Sequence, residues 1–457
     1  MPDTPYLAGQ PVGEAFHLAA ERFRNGSDTP GAYLERRIAQ MQSREGELHA
    51  FVTTDIDAAR VAARASGERY ARGAPLSPID GLPMGIKDVI ETRDFPTQMN
   101  SRRFAGWHSH RDAACVAALR AGGVVILGKT VTTEFALGDS GPTTNPWNAA
   151  HTPGGSSSGS AAAVAAGIAT AALGTQEIGS LIRPASFCGV LGFKPSFGAL
   201  HQGGVHGLAV SQSHLGIVAG SLFDLVAVST QISKVAGVDP GHPALVCPGV
   251  PVPPEKPSRI ALLRTSAWPR MNPQAIRQYE HLLDALRQCG VTLLDADSSA
   301  AIAAFERESA DAYDVWAAIC CRELLWPLLQ YRDADPESLG EATKRFIAMG
   351  ERLTQADYAA ALARRSSMKN ALRALETEFD TFLMPSATGP APSGLASTGS
   401  REFNAFSSGF GMPAISLPLL ACDGLPLGVQ LLAHPGADAA LLRRAAWLLC
   451  EFAPALL

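Results

Sequence analysis

A lysine set in an apolar run and a crowd of serines in glycine-rich surroundings are the residues whose types could do chemistry together. Lys87 stands in GLPMGIKDVIET, flanked by Ile86 and Val89, in a chain that favours arginine over lysine for its cations. A lysine buried among apolar side chains is costly unless it is paired or neutral. A neutral amine is a base. Downstream, residues 153–167 read PGGSSSGSAAAVAAG and residues 174–196 read GTQEIGSLIRPASFCGVLGFKPS, richer in glycine and serine than packing requires. A serine hydroxyl is a weak nucleophile until a base takes its proton. A buried lysine and serines brought to one place would attack a carbonyl carbon.

Three shorter matches compete and are weaker on physical grounds. Gly123-Val-Val-Ile-Leu-Gly128-Lys129-Thr130 fits the phosphate-loop expression, but VVIL is strand material, and a phosphate cradle needs flexible backbone there. Ser366-Ser367-Met368-Lys369 fits S-x-x-K, yet it lies in a helical stretch without SDN or KTG partners, so its lysine is expected to be a solvated helix charge. Gly155-Ser156-Ser157-Ser158-Gly159 fits the nucleophile elbow G-x-S-x-G, with His201, His206, His214 and His434 as nominal partners. The residues before it, His151-Thr152-Pro153-Gly154, cannot form the buried strand an elbow requires. Ser157 and Ser158 are expected to cap the helix that follows.

Taken together, the Lys87 segment and the two Gly/Ser blocks make the chain resemble the amidase signature family of serine hydrolases. The likeness is strong over residues 75–220. It extends to SREGELHAFV at 43–52 and to FNAFSSGFGMPAISLPLLACDGLPLGVQLLA at 403–433, while residues 225–375 match only in helical character. The resemblance implies a Ser–cis-Ser–Lys triad. The family's lysine falls on Lys87, its cis-serine on Ser156 after Gly154-Gly155, and its nucleophile on Ser180, anchored by Gly179 and Pro184. It also implies an oxyanion hole from the backbone N–H groups of Glu177, Ile178, Gly179 and Ser180.

The block around the nucleophile departs from the family's Asp-x-Gly-Gly-Ser-Ile-Arg pattern. Gln176 replaces the Asp, Glu177-Ile178 replaces x-Gly, and the arginine moves one place to Arg183. Backbone donors do not depend on side chains, so the hole survives unless residue 178 must take a positive φ, which Ile resists. The Glu177 side chain would repel carboxylate-bearing substrates or bind a cationic group. Asp139, Ser140 and Thr143, in a Gly/Pro loop, are candidates for substrate contact.

These residues need a scaffold. Strands at Pro83–Lys87 and Val124–Leu127 alternate with helices at Asp112–Ala121 and Ser160–Ala169, which predicts an α/β fold: a single large domain with a central mixed twisted β-sheet covered by α-helices on both faces. Within residues 1–457, 75–220 carry the catalytic core, 225–375 a helical specificity region, and 376–457 the strands and helix that complete the core. Further helices are expected at 12–24, 30–45 and 55–70, from Asn272-Pro273 to Gly290, and at Ala437–Cys450. Short strands are expected at Thr381–Met384, Ala414–Pro418 and Gly428–Leu432. Loops 131–147 and 386–412 are expected to shape specificity.

Composition narrows the class. The chain has 457 residues, 46% hydrophobic and 18% charged, with a net charge of −5. Disorder is excluded as the main state, and a nucleic-acid or anionic-membrane partner is disfavoured. The eight cysteines are scattered without CxxC pairs, so no metal, no cofactor and reduced thiols in a cytoplasmic protein are expected. The function these readings imply is hydrolysis of a small-molecule carboxamide to an acid plus ammonia or amine, with a homodimer as the base-rate assembly. Alternatives are the glutaminase subunit of a tRNA-dependent amidotransferase, a hydrolase of urea-like amides such as biuret or allophanate, and a non-catalytic scaffold that kept the fold.

Overall fold

The computed structural model describes residues 5–457. Its frame is one mixed sheet of eleven strands. In chain order these are β1 (Phe51–Thr54), β2 (Pro83–Lys87), β3 (Val125–Thr130), β4 (Ala171–Gln176), β5 (Leu191–Lys194), β6 (His214–Ala219), β7 (Arg259–Leu262), β8 (Thr292–Leu294), β9 (Phe382–Pro385), β10 (Ala414–Cys422) and β11 (Leu425–Leu432). Their order across the sheet is β1-β3-β2-β4-β6-β5-β10-β11-β9-β7-β8. The single α/β sheet domain expected from the sequence is the one found.

Strands β3, β2 and β4 run parallel, and every residue of the three is buried. Parallel strands are covered on both faces, which is why PMGIK, VILGKT and AALGTQ read as continuous apolar and small runs rather than alternating ones. The strand expected at Val124–Leu127 continues through Gly128 and Lys129 to Thr130, so the residues of the phosphate-loop match are themselves strand. At the other side of the sheet, β10 and β11 form a hairpin. Its two-residue turn is Asp423-Gly424, both with positive φ, as the twist of paired strands favours.

The helices begin where the cap signals stand. Asn272 accepts from the backbone N–H groups of Gln274 and Ala275 to start Pro273–Gln288, and Thr29 and Asp55 do the same for Pro30–Leu48 and Ile56–Ala71. The helix expected at Ser160–Ala169 is observed at Ser158–Ala165, and all eight of its residues, SGSAAAVA, are buried. Small side chains let it lie close to the sheet. The region 225–375 is not all helix, since it supplies β7 and β8. The stretch 386–412 is not all loop, since Glu402–Phe410 is a helix. Among the described residues no helix is long and apolar enough to cross a membrane.

Candidate active site

Lys87 ends β2, and Thr175 lies near the end of the neighbouring parallel strand β4. Ligands in open α/β sheets bind beyond the carboxyl ends of such strands. Lys87 is fully buried, and its Nζ donates to Ser156 Oγ at 2.6 Å and to Thr175 Oγ1 at 2.7 Å. Burial pushes its pKa down to about 7, against the opposing pull of the Glu177 charge. The neighbouring Asp88 pairs elsewhere, with Lys129 at 3.2 Å.

Ser156 follows a cis peptide bond from Gly155. The two glycines ahead of it are required by close approach. Gly154 has a φ of +81°, and a Cβ there would stand 2.9 Å from Pro184 Cα; a Cβ on Gly155 would stand 2.7 Å from Thr398 Cγ2. Arg183, also buried, fixes the same turn by donating to Gly155 O at 2.5 Å and to Thr398 Oγ1 at 3.0 Å. Its displacement by one place from the family position therefore leaves it with a structural task. Burial and the charge of Arg401 push Arg183 down to about 9.

The Ser180 loop is tied to Ser156 through the backbone, since Ser157 N–H donates to Ser180 O at 3.0 Å. The Ser180 hydroxyl lines a cavity of about 460 Å³ and is hydrogen-bonded to no other described residue, Ser156 included. The N–H groups of Ile178, Gly179 and Ser180 likewise donate to no described acceptor. Those just beyond are occupied: Leu181 and Ile182 both donate to Gln176 Oε1 at 3.0 Å. Gln176 Nε2 donates in turn to Ser408 Oγ at 3.0 Å. Glutamine in place of the family's Asp thus still supplies an oxygen that accepts two N–H groups, and adds a donor. Ile178 is not among the residues of positive φ, so the objection to a β-branched residue at that position does not arise. Glu177 is buried, raised in pKa by burial, and accepts from Ser213 Oγ at 3.3 Å.

Ser157 occupies the N-cap position, but its hydroxyl does not cap; it bonds the N–H and C=O of Thr175, both at 3.3 Å, which removes the elbow reading. Asp139 accepts from Ala342 and Thr343 N–H, and Thr143 donates to His49 O, so both brace the fold and neither they nor Ser140 line the Ser180 cavity. Lys369 is not a freely solvated charge. Burial, then Arg365 and Arg373, push it down to about 8, while Ser366 bonds Leu362 O instead. The loops expected to shape specificity contribute Ala136, Leu137 and Gly399–Arg401 to the cavity, and the helical region contributes Tyr313, Cys320 and Phe346 among others. Sequence reasoning does not single out Thr175, Thr398 or Arg401. No described His, Cys, Asp or Glu side chains gather in threes as a metal site would need.

The amidase family profile matches residues 32–442. The chain belongs to the amidase family. It is an amidohydrolase, acting on amide C–N bonds. Among curated relatives, the A subunit of the glutamyl-tRNA(Gln) amidotransferase of Chloroflexus aggregans (strain MD-66 / DSM 9485) is 32% identical, over 90% of each chain. Among solved structures, an amidase crystal structure superposes with a TM-score of 0.85 at 26% identity, covering 96% of this amidase and all of that chain. A structure described as a vestigial protein complex that reveals the origins of an s-triazine catabolic enzyme also gives 0.85 at 26% identity, over 95% of this chain and 98% of that one.

Proposed function

We propose that the chain hydrolyses a linear carboxamide through an acyl-enzyme on Ser180, with Ser156 and Lys87 as the proton relay. The observation that carries this reading is a fully buried lysine whose hydrogen-bond partners are two hydroxyls, one of them on Ser156. Neutral Lys87 accepts the Ser156 proton as Ser156 takes the proton of Ser180. Ser180 Oγ then bonds to the carbonyl carbon. The oxyanion is received by the free N–H groups of Ile178, Gly179 and Ser180, each such donor stabilising a transition state by about 2.7–4 kcal/mol. As the C–N bond breaks, the proton returns from Lys87 through Ser156 to the leaving nitrogen. Water enters by the same relay and releases the acid. The Ser180 hydroxyl closes on Ser156 when substrate fills the cavity, since catalytic hydrogen bonds in empty sites are often long.

Fluorophosphonate labelling with peptide mapping tests this. The expected result is an adduct on Ser180 that disappears in Lys87→Ala. Labelling on Ser157, or none on folded protein, would overturn it. The likeness to amidotransferase A subunits supports a second reading, a glutaminase that works within a larger assembly. Ammonia release by the chain alone from simple amides favours the first reading; release from glutamine that appears only with partner subunits favours the second.

A further inference from the structure

One arginine faces the Ser180 cavity without an ion-pair partner. Arg401 lines it, half-buried, with its guanidinium 5.4 Å from the centroid of the Phe346 ring. Among the described residues, no carboxylate lies within ion-pair reach of Arg401, of Arg345 in the adjoining recess, or of buried Arg183. Arg183 moreover leaves its Nε and Nη1 without partners. Arg401 thus presents a guanidinium to the cavity without an ion-paired carboxylate, and the two other unpaired guanidinium groups lie close by. The acidic groups on the same cavity do not answer them. Glu402 is engaged by Arg270, Asp314 is exposed, and Glu177 is held by Ser213 in a buried site that disfavours its charge.

A guanidinium is a planar fork that matches a carboxylate with two parallel hydrogen bonds. Stacking on an aromatic ring sets its plane, and partial burial limits screening by salt. We propose that Arg401 is a specificity residue that binds a carboxylate on the acyl side of the substrate, so that the preferred substrates are half-amides of short dicarboxylic acids. This rests on the amide-hydrolase reading of Ser180 and goes beyond it by naming the substrate class. It also reverses the bias expected from Glu177: that residue is buried and occupied, whereas Arg401 is open to the cavity.

The test separates the two claims. In the active enzyme, kcat/KM is compared for malonamate, succinamate, glutaramate and adipamate against butyramide and 4-aminobutyramide. One half-amide is expected to exceed butyramide at least tenfold, with the gain mainly in KM. That ratio should fall at least tenfold in Arg401→Ala, recover in part in Arg401→Lys, and turn toward 4-aminobutyramide in Arg401→Glu. In parallel, calorimetry on Ser180→Ala measures binding of the same half-amide, which should weaken at least tenfold when Arg401→Ala is added. Hydrolysis without preference for a carboxylate, or binding indifferent to Arg401, overturns the anion site and leaves the amidase reading standing. Arg401-dependent binding without hydrolysis or Ser180 labelling supports the anion site and overturns the Ser180 mechanism.

Discussion

Lys87 and Lys129 lie on adjacent parallel strands, one residue apart in register, and both are fully buried. They differ in what receives their hydrogen bonds. Lys129 meets the Asp88 carboxylate at 3.2 Å and donates to Thr97 Oγ1 and Pro96 O, while Asp88 also accepts from the N–H groups of Gln98 and Met99. That is a satisfied ion pair that ties β3 to the loop after β2. Lys87 meets two hydroxyls. A third buried lysine, Lys194, donates to the carbonyls of Pro195 and Met412, and burial pushes it, like Lys87, down to about 7. Burial and a depressed pKa are therefore not what marks a base. A carbonyl has no proton to give, and a carboxylate pulls toward the charged lysine, although burial still pushes Lys129 downward. Of these three kinds of partner, the hydroxyl is the one that can relay a proton between a neutral amine and a second hydroxyl.

The sharpest way to break this contrast is to remove each lysine. Lys87→Ala should lower kcat/KM about 10²–10⁴-fold in protein that remains folded, the range for losing a positioned base. Lys129→Met should act on stability and spare the rate. It strands a buried carboxylate and should cost about 3–5 kcal/mol of stability, most of which Lys129→Met with Asp88→Leu should restore. Denaturant melts and steady-state rates on the four proteins decide it. If Lys129→Met proves the more damaging to catalysis in protein that remains folded, the assignment of the base to Lys87 is wrong.

Lys87 titrates near 7 in the folded protein against about 10.4 in an unfolded chain. Catalysis by the neutral amine should therefore rise as pH increases through 7. Stability carries the same sign: between the two values the unfolded chain binds more protons, so ΔG of unfolding rises with pH across that window and loses this contribution as pH falls through 7. Lys87→Met should flatten both slopes relative to the parent. Lys129→Met should leave the rate profile in place, because Lys129 touches no group of the relay.

How much of this is legible in the sequence depends on whether the cause is local. Helix starts at Asn272-Pro273 and Thr29-Pro30 announce themselves, because cap chemistry lies within three residues. Lys87, Ser156 and Ser180 stand out through long motifs, and of the three the fold joins Lys87 to Ser156 by a hydrogen bond. Strand β4 does not, since AALGTQ has neither β-branched enrichment nor alternation and a buried run of small residues reads equally as helix. Lys129 reads only as part of a phosphate-loop expression. Its partner Asp88 sits 41 positions away, next to the residue of interest, and no sequence spacing links them. Arg401 stands in a Gly/Ser/Pro loop just ahead of a helix. What the fold adds is its place on the Ser180 cavity with no described carboxylate within ion-pair reach, which is a property of space alone.

The smallest expected effect tests the finest part of the contrast. Thr175 Oγ1 is the second hydroxyl on Lys87, and it sits on a strand that contributes no other group to the relay. Thr175→Val keeps the shape and removes one acceptor. Lys87 would keep Ser156 but lose the bond that aims its amine, at a cost near that of one hydrogen bond, about 0.5–1.5 kcal/mol. That corresponds to roughly a 2- to 12-fold fall in kcat. Losing an acceptor also disfavours the charged amine, so the rate profile should shift to lower pH as well. Thr175→Ser should restore both. A fall in kcat without a pH shift would mean that Thr175 only fills space beside Lys87, and the lysine would then rest on Ser156 alone.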